Sequence, residues 1–477
     1  MHFIQLAFVA FLAIVFATYW GLGLVAGRRA RVLQNVLLVV ASCVFYGWVH
    51  PWFLLLLGFS ALLDYSMGRL LEARPDRRRL WVGLSLAGNL GMLGVFKYFD
   101  FFVRNVGQAL ESLGVQANLP TLGLLLPVGI SFYTFQTLSY TLDVAKGRLA
   151  PRRNLLDYLV FVSFFSQLVA GPIERASQLL PQVERERRFD LDLVLSGLSL
   201  ALWGAVKKVC LADTIAPYVD EVFMTRDPAF AMVMAAGFGF GVQFLADFSG
   251  YTDIARGSAR MLGFELTENF RNPYVAVTTP EFWRRWHITL SSWVGDYVYT
   301  PLLRSGKPGP ARTIFAMMTT FLVIGLWHGA AWNFVAVGLY NGLWMVAYTF
   351  AVPLIPRRIK EIRVLLAPAW LFHTLVVLHP TGLMFRETSL PRVWQHLTAP
   401  WFVATKEQLV SAAIVMSLAV FGGLTMNAAD LVQWKLLPRL RRSPWFLPVQ
   451  TTFWAGCVVV LFLFARDVSE DFLYFQF

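Results

Sequence analysis

The feature that most constrains this chain is one histidine, His328, which stands between two long segments that carry no charge. The uncharged segments are Thr313–Trp327 and Ala330–Phe350. An ionisable side chain inside lipid is costly, so such residues are rare and mostly serve a function. Because the ordinary pKa of imidazole, about 6.5, lies near neutral pH, a histidine in this setting is suited to proton transfer.

Apolar runs recur along the whole chain. Of its 477 residues, 57% are hydrophobic and 15% are charged, whereas about a quarter of a typical soluble protein is charged. The runs other than those beside His328 are His2–Ala26, Val32–Trp48, Trp52–Leu63, Leu80–Phe96, Leu122–Leu142, Leu155–Ala170, Leu191–Val206, Ala229–Ala246, Val364–Val377, Leu409–Leu424 and Thr451–Phe464. Several can cross about 30 Å of hydrocarbon as helices, which pair their own backbone groups. The sequence therefore predicts an all-α, polytopic integral membrane protein with about ten to thirteen hydrophobic helices.

The net charge of +12 comes mostly from Arg and Lys in short loops. Nucleic-acid binding is one explanation, but the positive-inside bias of membrane proteins and contact with anionic lipids are favoured. We therefore expect membrane lipids, and no nucleic acid, as partners. Cys43, Cys210 and Cys457 have no metal-ligand spacing. A metal site at His287 and His328 is disfavoured because neither has a carboxylate or thiolate at ligand spacing, and phosphate-loop, dinucleotide and zinc-protease motifs are absent.

Basic residues flank the hairpin around His328. They are Arg304, Lys307 and Arg312 before it and Arg357, Arg358, Lys360 and Arg363 after it. Since Lys and Arg collect in cytoplasmic loops, both ends are predicted to be cytoplasmic. The first arm has about 15 residues, or roughly 22 Å as helix, so it should end short of the far surface. His328 is therefore predicted to lie inside the membrane.

A second polar group lies in an aromatic-rich region that is too polar to span lipid. Aromatic rings mixed with arginines favour the membrane interface or a protein-lined cavity, so re-entrant or interfacial helices are expected. A helix start is predicted near Thr279, which is available as the N-cap. If the following segment is helical, one face offers the side chains of Arg284, His287 and Ser291. An interfacial helix whose arginines bind lipid phosphates explains the same pattern, and the residues alone leave both interpretations open.

Two further polar groups are predicted to be structural. Asp247 and Asp253 flank Gly250 at the end of an apolar run, where they can cap a helix or neutralise nearby arginines. We favour this role over catalysis. Gln167 and Glu174 surround a Gly-Pro pair, a helix break at membrane depth that must be buried in protein or line a cavity.

Taken together, these motifs resemble the membrane-bound O-acyltransferase family. The strings that carry the resemblance are Phe164–Ile173, Asp247–Asp253, Asn269–Tyr274, Glu281–Trp293 with Asp296-Tyr297, and Gly325–Gly329. Their order and spacing match the bacterial polysaccharide branch over most of the chain, and within it they look most like the enzymes that O-acetylate alginate. The resemblance implies one membrane-embedded domain over residues 1–477, with a catalytic core at roughly 120–390 and re-entrant helices around a central tunnel.

The resemblance also assigns roles to residues. It implies that His328 is the catalytic histidine and that His287 fills the second polar site. Three positions depart from the family pattern. Ser166 stands where relatives often have Pro, Gly295 where Arg commonly precedes the Asp-Tyr pair, and Asn341 where relatives often carry another His. These departures concern the acceptor or the partner protein more than the reaction.

The implied reaction is acyl transfer from a cytoplasmic thioester to a hydroxyl, with acetyl-CoA as the donor and no resident cofactor. His328 would take the acceptor proton, while His287 or a backbone N–H would orient the donor carbonyl or stabilise the oxyanion. The guanidinium groups of Arg284 and Arg285 would hold the phosphates of the donor, with Lys207 and Lys208 as weaker candidates. The other predicted site residues are substrate-binding Trp283, Trp286, Ser291, Trp327 and Asn341, and supporting Asp247, Asp253, Gln167, Asp296 and Tyr297.

The resemblance further implies a location in the bacterial inner membrane. The final acceptor would be an exopolysaccharide such as alginate, reached directly or through a periplasmic acetyltransferase or other polysaccharide-modifying partner. D-alanyl transfer to teichoic acid is an alternative within the same type of chemistry. A transporter and a non-catalytic scaffold of an envelope glycan complex are alternatives outside it. Transporters often show internal repeats, and this sequence shows helix breaks without repeats.

Overall fold

A computed structural model describes residues 1–116, 118–169, 171–355, 365–401, 403–440, 443–464 and 472–473. Within these ranges every regular element is helical. The all-α class predicted from composition is therefore confirmed.

The α-helices are numbered in chain order. The first twelve are α1 (Leu6–Val25), α2 (Ala30–Gly47), α3 (Phe53–Ala73), α4 (Arg78–Leu93), α5 (Phe99–Ser112), α6 (Ile130–Ala145), α7 (Leu155–Ser163), α8 (Phe165–Leu168), α9 (Ala176–Glu184), α10 (Leu191–Val206), α11 (Asp213–Met224) and α12 (Phe230–Met261). The others are α13 (Thr279–Trp283), α14 (Ile288–Val294), α15 (Thr300–Arg304), α16 (Pro310–His328), α17 (Trp332–Ala351), α18 (Leu366–Phe372), α19 (His379–Arg386), α20 (Leu390–Leu397), α21 (Lys406–Leu431), α22 (Leu437–Leu440) and α23 (Phe446–Phe464).

Ten helical stretches within the described ranges are long and apolar enough to cross a membrane. They are Leu6–Val25, Gly27–Gly47, Phe53–Ala73, Pro75–Ser112, Leu191–Met224, Phe230–Met261, Pro310–His328, Trp332–Leu354, Lys406–Leu431 and Phe446–Phe464. This number falls within the ten to thirteen hydrophobic helices predicted from the sequence. The chain is a multi-pass membrane protein.

Three apolar runs of the sequence are not among these ten stretches: those from Leu122 and from Leu155, and Val364–Val377, whose first residue lies outside the described residues. The run from Leu122 begins without helix, and α6, which follows, has 13 of its 16 residues buried in protein. The run from Leu155 is interrupted at Phe164, whose ψ of 116° ends α7, and α8 ends at Leu168. Hydropathy does not separate apolar side chains that face protein from those that face lipid, so the first two runs resemble spans in sequence.

The contacts within the chain group it into two compact units. The first contains residues 1–201 and 254–267, and the second contains residues 202–253 and 268–477. The expectation of one domain with a core at roughly residues 120–390 stays a prediction, as does the central tunnel.

A buried carboxylate joins three helices of the first unit. Asp64 in α3 accepts hydrogen bonds from Ser85 Oγ, from Asn89 Nδ2 at 2.6 Å and from Thr141 Oγ1 at 2.6 Å. All four side chains are buried. Because a buried polar group without a partner is costly, this network favours one arrangement of α3, α4 and α6.

The second unit contains the hairpin that carries His328. A Cβ on Gly325 of α16 would lie 2.2 Å from the carbonyl oxygen of Phe334, and one on Gly338 of α17 would lie 2.5 Å from that of Phe321. The two helices therefore meet backbone to backbone, an approach that small residues permit in membranes.

The arm before His328 is longer than the uncharged segment suggests. α16 has 19 residues, or about 28 Å, because its first turn includes Arg312 and begins at Pro310. The depth of His328 in the membrane stays a prediction. The basic residues that supported the cytoplasmic end of the second arm, Arg357, Arg358, Lys360 and Arg363, lie outside the described residues.

The packing of α12 against α10 in the first unit can be tested at Gly257. A Cβ there would lie 2.5 Å from the carbonyl oxygen of Gly197 and 2.7 Å from the backbone nitrogen of Ala201. Since neither backbone atom can move without shifting a helix, we expect Gly257→Ala to destabilise the protein by about 1–3 kcal/mol. The measurement is the yield of monodisperse protein in size-exclusion chromatography after solubilisation.

The matched control is Gly58→Ala in α3, where a Cβ meets no atom within 4 Å. This variant should elute like the wild type. Equal yields from the two variants would show that α10 and α12 can separate without cost.

Candidate active site

His328 ends α16, and its side chain is only 4% exposed. The centroid of its ring lies 4.9 Å from that of Phe385 and 5.2 Å from that of Trp327, both in edge-on geometry. The imidazole is therefore enclosed by aromatic carbon. The position supports the prediction that protein surrounds this histidine.

His287 lies between two short helices rather than within one. α13 ends at Trp283 and α14 begins at Ile288. The backbone of His287 is left-handed, with φ 41° and ψ 55°, a conformation that costs a residue with a side chain about 1–3 kcal/mol. The prediction that Arg284, His287 and Ser291 share one continuous helical face is therefore wrong.

The helix breaks because a neighbouring segment takes its backbone hydrogen bonds. The N–H of Arg271 donates to the carbonyl oxygen of Arg285 at 3.0 Å, and the N–H of Ile288 donates to that of Asn269 at 2.9 Å. A continuous helix would pair these groups within itself. The sequence pattern of the segment gives no sign of this pairing, because the partner stands well before it in the chain.

The predicted N-cap of α13 is one residue too late. The hydroxyl of Thr278, not that of Thr279, accepts a hydrogen bond from the backbone N–H of Glu281 at 3.3 Å. Thr279 is the first residue of the helix, a shift of the size that boundary predictions commonly show.

Trp327 contacts both histidines. The centroid of its indole ring lies 5.4 Å from that of the His287 ring and 5.2 Å from that of the His328 ring. The ring of Phe248 contacts His287 from α12 at 4.9 Å. Trp327 was predicted to bind substrate, and the structure places it as the aromatic contact that the two imidazoles share.

The side chain of His287 is fully buried, and burial lowers its pKa to about 3. A charged imidazolium is strongly disfavoured where water cannot solvate it. His287 is therefore neutral across the physiological range. A neutral imidazole can donate one hydrogen bond and accept one, which is the behaviour required to orient or stabilise a polar group.

His328 lines a cavity of about 270 Å³, which we call the histidine cavity. Trp283, Trp286 and Phe385 contribute to its walls, and most of the lining is apolar. An apolar lining leaves few groups that compete with a bound substrate for the imidazole. This is the setting that a general base needs.

A second cavity of about 440 Å³, which we call the arginine cavity, is lined by Arg284, Ser291 and Gly295. Trp283 lines both cavities. The side chain of Arg284 is exposed, and a Cβ on Gly295 would meet no atom within 4 Å. The arginine cavity thus combines a guanidinium, a hydroxyl and unfilled space.

Three other predicted binding residues have different surroundings. Arg285 forms an ion pair with Glu281 at 2.8 Å. Asn341 donates to the hydroxyl of Thr381 at 3.1 Å and lines neither cavity. Ser291 lines the arginine cavity while its hydroxyl donates to the carbonyl oxygen of Trp286 at 3.1 Å.

The two aspartates predicted to flank a turn lie instead within the continuous helix α12. Both pair with lysines. Lys208 pairs with Asp247 at 2.8 Å and with Asp213 at 2.6 Å, and Lys207 pairs with Asp253 at 2.5 Å. Both lysines are buried, so the structure gives them a structural setting and not an open phosphate-binding surface.

None of the remaining supporting residues is part of the lining of the histidine cavity or the arginine cavity. Gln167 is buried in the first unit and donates to the carbonyl oxygen of Phe161 at 2.5 Å. Asp296 is exposed in the π-helical segment Gly295–Tyr299. Tyr297 packs its ring against Trp293 at 5.0 Å.

Sequence reasoning missed two parts of the site. His379 also lines the histidine cavity, with Nε2 at 3.3 Å from the carbonyl oxygen of Val233. Phe472, close to the end of the sequence, packs its ring at 5.5 Å from Phe248, which contacts His287. Only the aromatic richness of the last residues hinted at this contact. Among the described side chains, no three His, Cys, Asp or Glu cluster as metal ligands would.

Buried histidines should make the folded state sensitive to acid. Burial lowers the pKa of His287, His373, His379 and His396. Between the ordinary pKa near 6.5 and the lowered values the unfolded chain binds more protons, so stability is lost as pH falls through this window. We expect the thermal unfolding midpoint of the detergent-solubilised protein to drop between about pH 7.5 and about pH 5.

The variant His287→Gln isolates the contribution of one ring. Its unfolding midpoint should fall less over the same pH interval than that of the wild type, because its amide does not titrate. An identical fall in both proteins would show that the folded state protonates His287 as readily as the unfolded chain does.

The chain is similar to a known protein family and to several curated proteins. The sequence profile of the membrane-bound O-acyltransferase family matches residues 8–368. A probable alginate O-acetylase of Azotobacter vinelandii is 35% identical over an alignment of 506 residues, which covers 98% of this chain and 99% of the relative. A probable alginate O-acetylase of Pseudomonas aeruginosa is 35% identical over 83% of this chain and 74% of the relative. A peptidoglycan O-acetyltransferase of Helicobacter pylori is 33% identical over 70% of this chain and 67% of the relative.

Proposed function

Because this chain belongs to the membrane-bound O-acyltransferase family, we propose that it moves an acetyl group from a thioester to a hydroxyl for the O-acetylation of an exopolysaccharide. The family makes it an O-acyltransferase. The observation that carries the proposal is the pair of buried histidines that share Trp327, one of which opens into an apolar cavity.

The names of the relatives guide the choice of acceptor. Two are probable alginate O-acetylases and one is a peptidoglycan O-acetyltransferase, so all three names specify a glycan as the acceptor. We place this chain in the bacterial inner membrane, with an exopolysaccharide such as alginate as the final acceptor. The acetyl group reaches that polymer directly or through a periplasmic partner protein.

His328 is the proposed general base. Its ring takes the proton of the acceptor hydroxyl while that oxygen attacks the thioester carbonyl. The tetrahedral intermediate then collapses, the carbon–sulfur bond breaks, and the proton returns to the leaving thiolate. The apolar walls of the histidine cavity support this role because they offer few polar groups that would compete with the acceptor hydroxyl for the imidazole.

His287 is the proposed second polar group of the reaction. Since its pKa is lowered to about 3, it is neutral, and one of its nitrogens carries a hydrogen. A neutral N–H can orient the donor carbonyl or stabilise the developing oxyanion without giving up a proton. Its contact with Trp327, which also contacts His328, supports an action on the same reaction.

The arginine cavity is the proposed entry for the donor, which we take to be acetyl-CoA. Arg284 is exposed at its edge and can form paired hydrogen bonds to phosphate oxygens. Trp283 lines both cavities, so the thioester of a donor in the arginine cavity would pass this side chain on the way towards His328.

The role of His328 can be tested by His328→Ala. We expect this variant to lose at least about 1,000-fold of acetyl transfer, because the reaction then lacks its base. The measurement is mass spectrometry of envelope glycan from a deletion strain of the native host, complemented with the wild type or the variant. The same spectra identify the polymer and the acyl group.

His396→Gln is the matched control, since His396 is also a buried histidine but lines neither cavity. It should restore normal acetylation. Wild-type acetylation by a folded His328→Ala protein would refute the base role, and a glycan that never carries acetyl groups in the parent strain would refute the proposed function.

The donor site can be tested by filling the arginine cavity. We expect Gly295→Trp to weaken acetyl-CoA binding by at least about tenfold, because the indole occupies space that is open beside Gly295. The measurement is isothermal titration of the purified protein with acetyl-CoA. Gly91→Trp, at another glycine with open surroundings but outside both cavities, should bind normally. Unchanged affinity in Gly295→Trp would place the donor elsewhere.

A further inference from the structure

We infer that Asn269 is a positioning residue that holds the backbone of His287 in its left-handed conformation and so sets where the imidazole lies. The inference rests on the proposed function, because it gives His287 a part in acetyl transfer. Its hydrogen bonds reach the two residues that directly follow His287, so it acts through His287 and not on the substrate.

The starting observation is the place of His287 at the beginning of a helix. It occupies the N-cap position of α14, yet its side chain makes no capping hydrogen bond. The first N–H groups of a helix have no partner within it, and an N-cap side chain commonly accepts from one of them.

Asn269 supplies the missing acceptors from another segment. Its carbonyl oxygen accepts from the N–H of Ile288 at 2.9 Å. Its side-chain Oδ1 accepts from the N–H of Thr289 at 3.3 Å and from the Thr289 hydroxyl at 2.6 Å. These are the first two helical residues of α14, so one asparagine satisfies the N–H groups that directly follow His287.

A second backbone contact fixes the other side of the histidine. The N–H of Arg271 donates to the carbonyl oxygen of Arg285 at 3.0 Å. The segment 269–271 therefore pairs with the chain both before and after His287. These two hydrogen bonds offset the conformational strain of the left-handed backbone at His287. A residue with a side chain rarely adopts this conformation without such support.

Burial makes these bonds strong and specific. Asn269 is fully buried and Thr289 is 3% exposed. Water cannot replace a lost acceptor in such a place, so removing Oδ1 leaves buried donors without a partner. The least costly response is a change in the backbone of residues 287–289, and that change moves the imidazole.

The decisive variants are Asn269→Leu and Thr289→Val, which keep the shape of the side chain but remove the bond between them. We expect Asn269→Leu to lower the turnover rate about 10- to 100-fold, since a displacement of about 1 Å at a reacting group costs that much. Thr289→Val should lower it less. The KM for acetyl-CoA should stay within about twofold of the wild type, because the donor site is intact.

The matched controls keep the bond. Thr289→Ser retains the hydroxyl and Asn269→Asp retains an acceptor oxygen, so both should recover most of the turnover that Val and Leu lose. The assay is acetyl incorporation by membrane vesicles supplied with acetyl-CoA and acceptor glycan. If Asn269→Leu fails to fold, the comparison of Thr289→Val with Thr289→Ser decides the question.

A double-mutant cycle separates positioning from general destabilisation. In the background of His287→Ala, Asn269→Leu should cost less than about twofold more, because there is no imidazole left to position. A full multiplicative loss in the double variant, or wild-type turnover in folded Asn269→Leu, would overturn the inference while leaving the proposed function intact. Normal turnover in His287→Ala itself would overturn both the inference and the proposed role of His287.

Discussion

The buried ammonium group of Lys208 is the interaction on which the second unit depends. It lies 2.6 Å from Asp213 and 2.8 Å from Asp247, and all three side chains are nearly inaccessible. Loss of the lysine would leave two buried carboxylates without this counter-charge, which is far more costly than breaking an exposed ion pair. Asp247 directly precedes Phe248, whose ring contacts His287. The ion pairs therefore hold α12 in the rotation that brings the ring of Phe248 against His287.

The two histidines are held in place by different kinds of contact. His328 is placed by helix packing, since the glycines of α16 and α17 let the two backbones touch. His287 is placed by hydrogen bonds, since the segment that begins at Asn269 pairs with the chain on both sides of it. Packing tolerates few changes of volume, whereas a hydrogen-bonded turn depends on the identity of a few polar groups. The reaction proposed here needs both kinds of precision.

The sequence predicts the class of the fold and singles out the two histidines as candidates, but it does not predict their surroundings. Long apolar runs and the charge-free segments around His328 follow from local composition, and they predicted a multi-pass helical protein. The left-handed turn at His287 depends on Asn269, which is distant in sequence, and the pairing of Lys208 with Asp247 joins separate helices. Such contacts leave no local periodicity. The sequence therefore allows Asp247 and Asp253 a helix cap or a pairing with arginines, but it does not indicate their lysine partners. The buried α6 resembles a membrane span because hydropathy does not distinguish a side chain that faces protein from one that faces lipid.

The apolar lining of the histidine cavity bears on how readily water would hydrolyse a bound donor. Ordered water needs two or more polar partners, and a cavity walled by Trp283, Trp286 and Phe385 offers few. A thioester held there would meet no competing nucleophile until the acceptor hydroxyl arrives. The exclusion of water would then suppress hydrolysis of the donor, so that its acetyl group would be transferred to the acceptor rather than released as acetate.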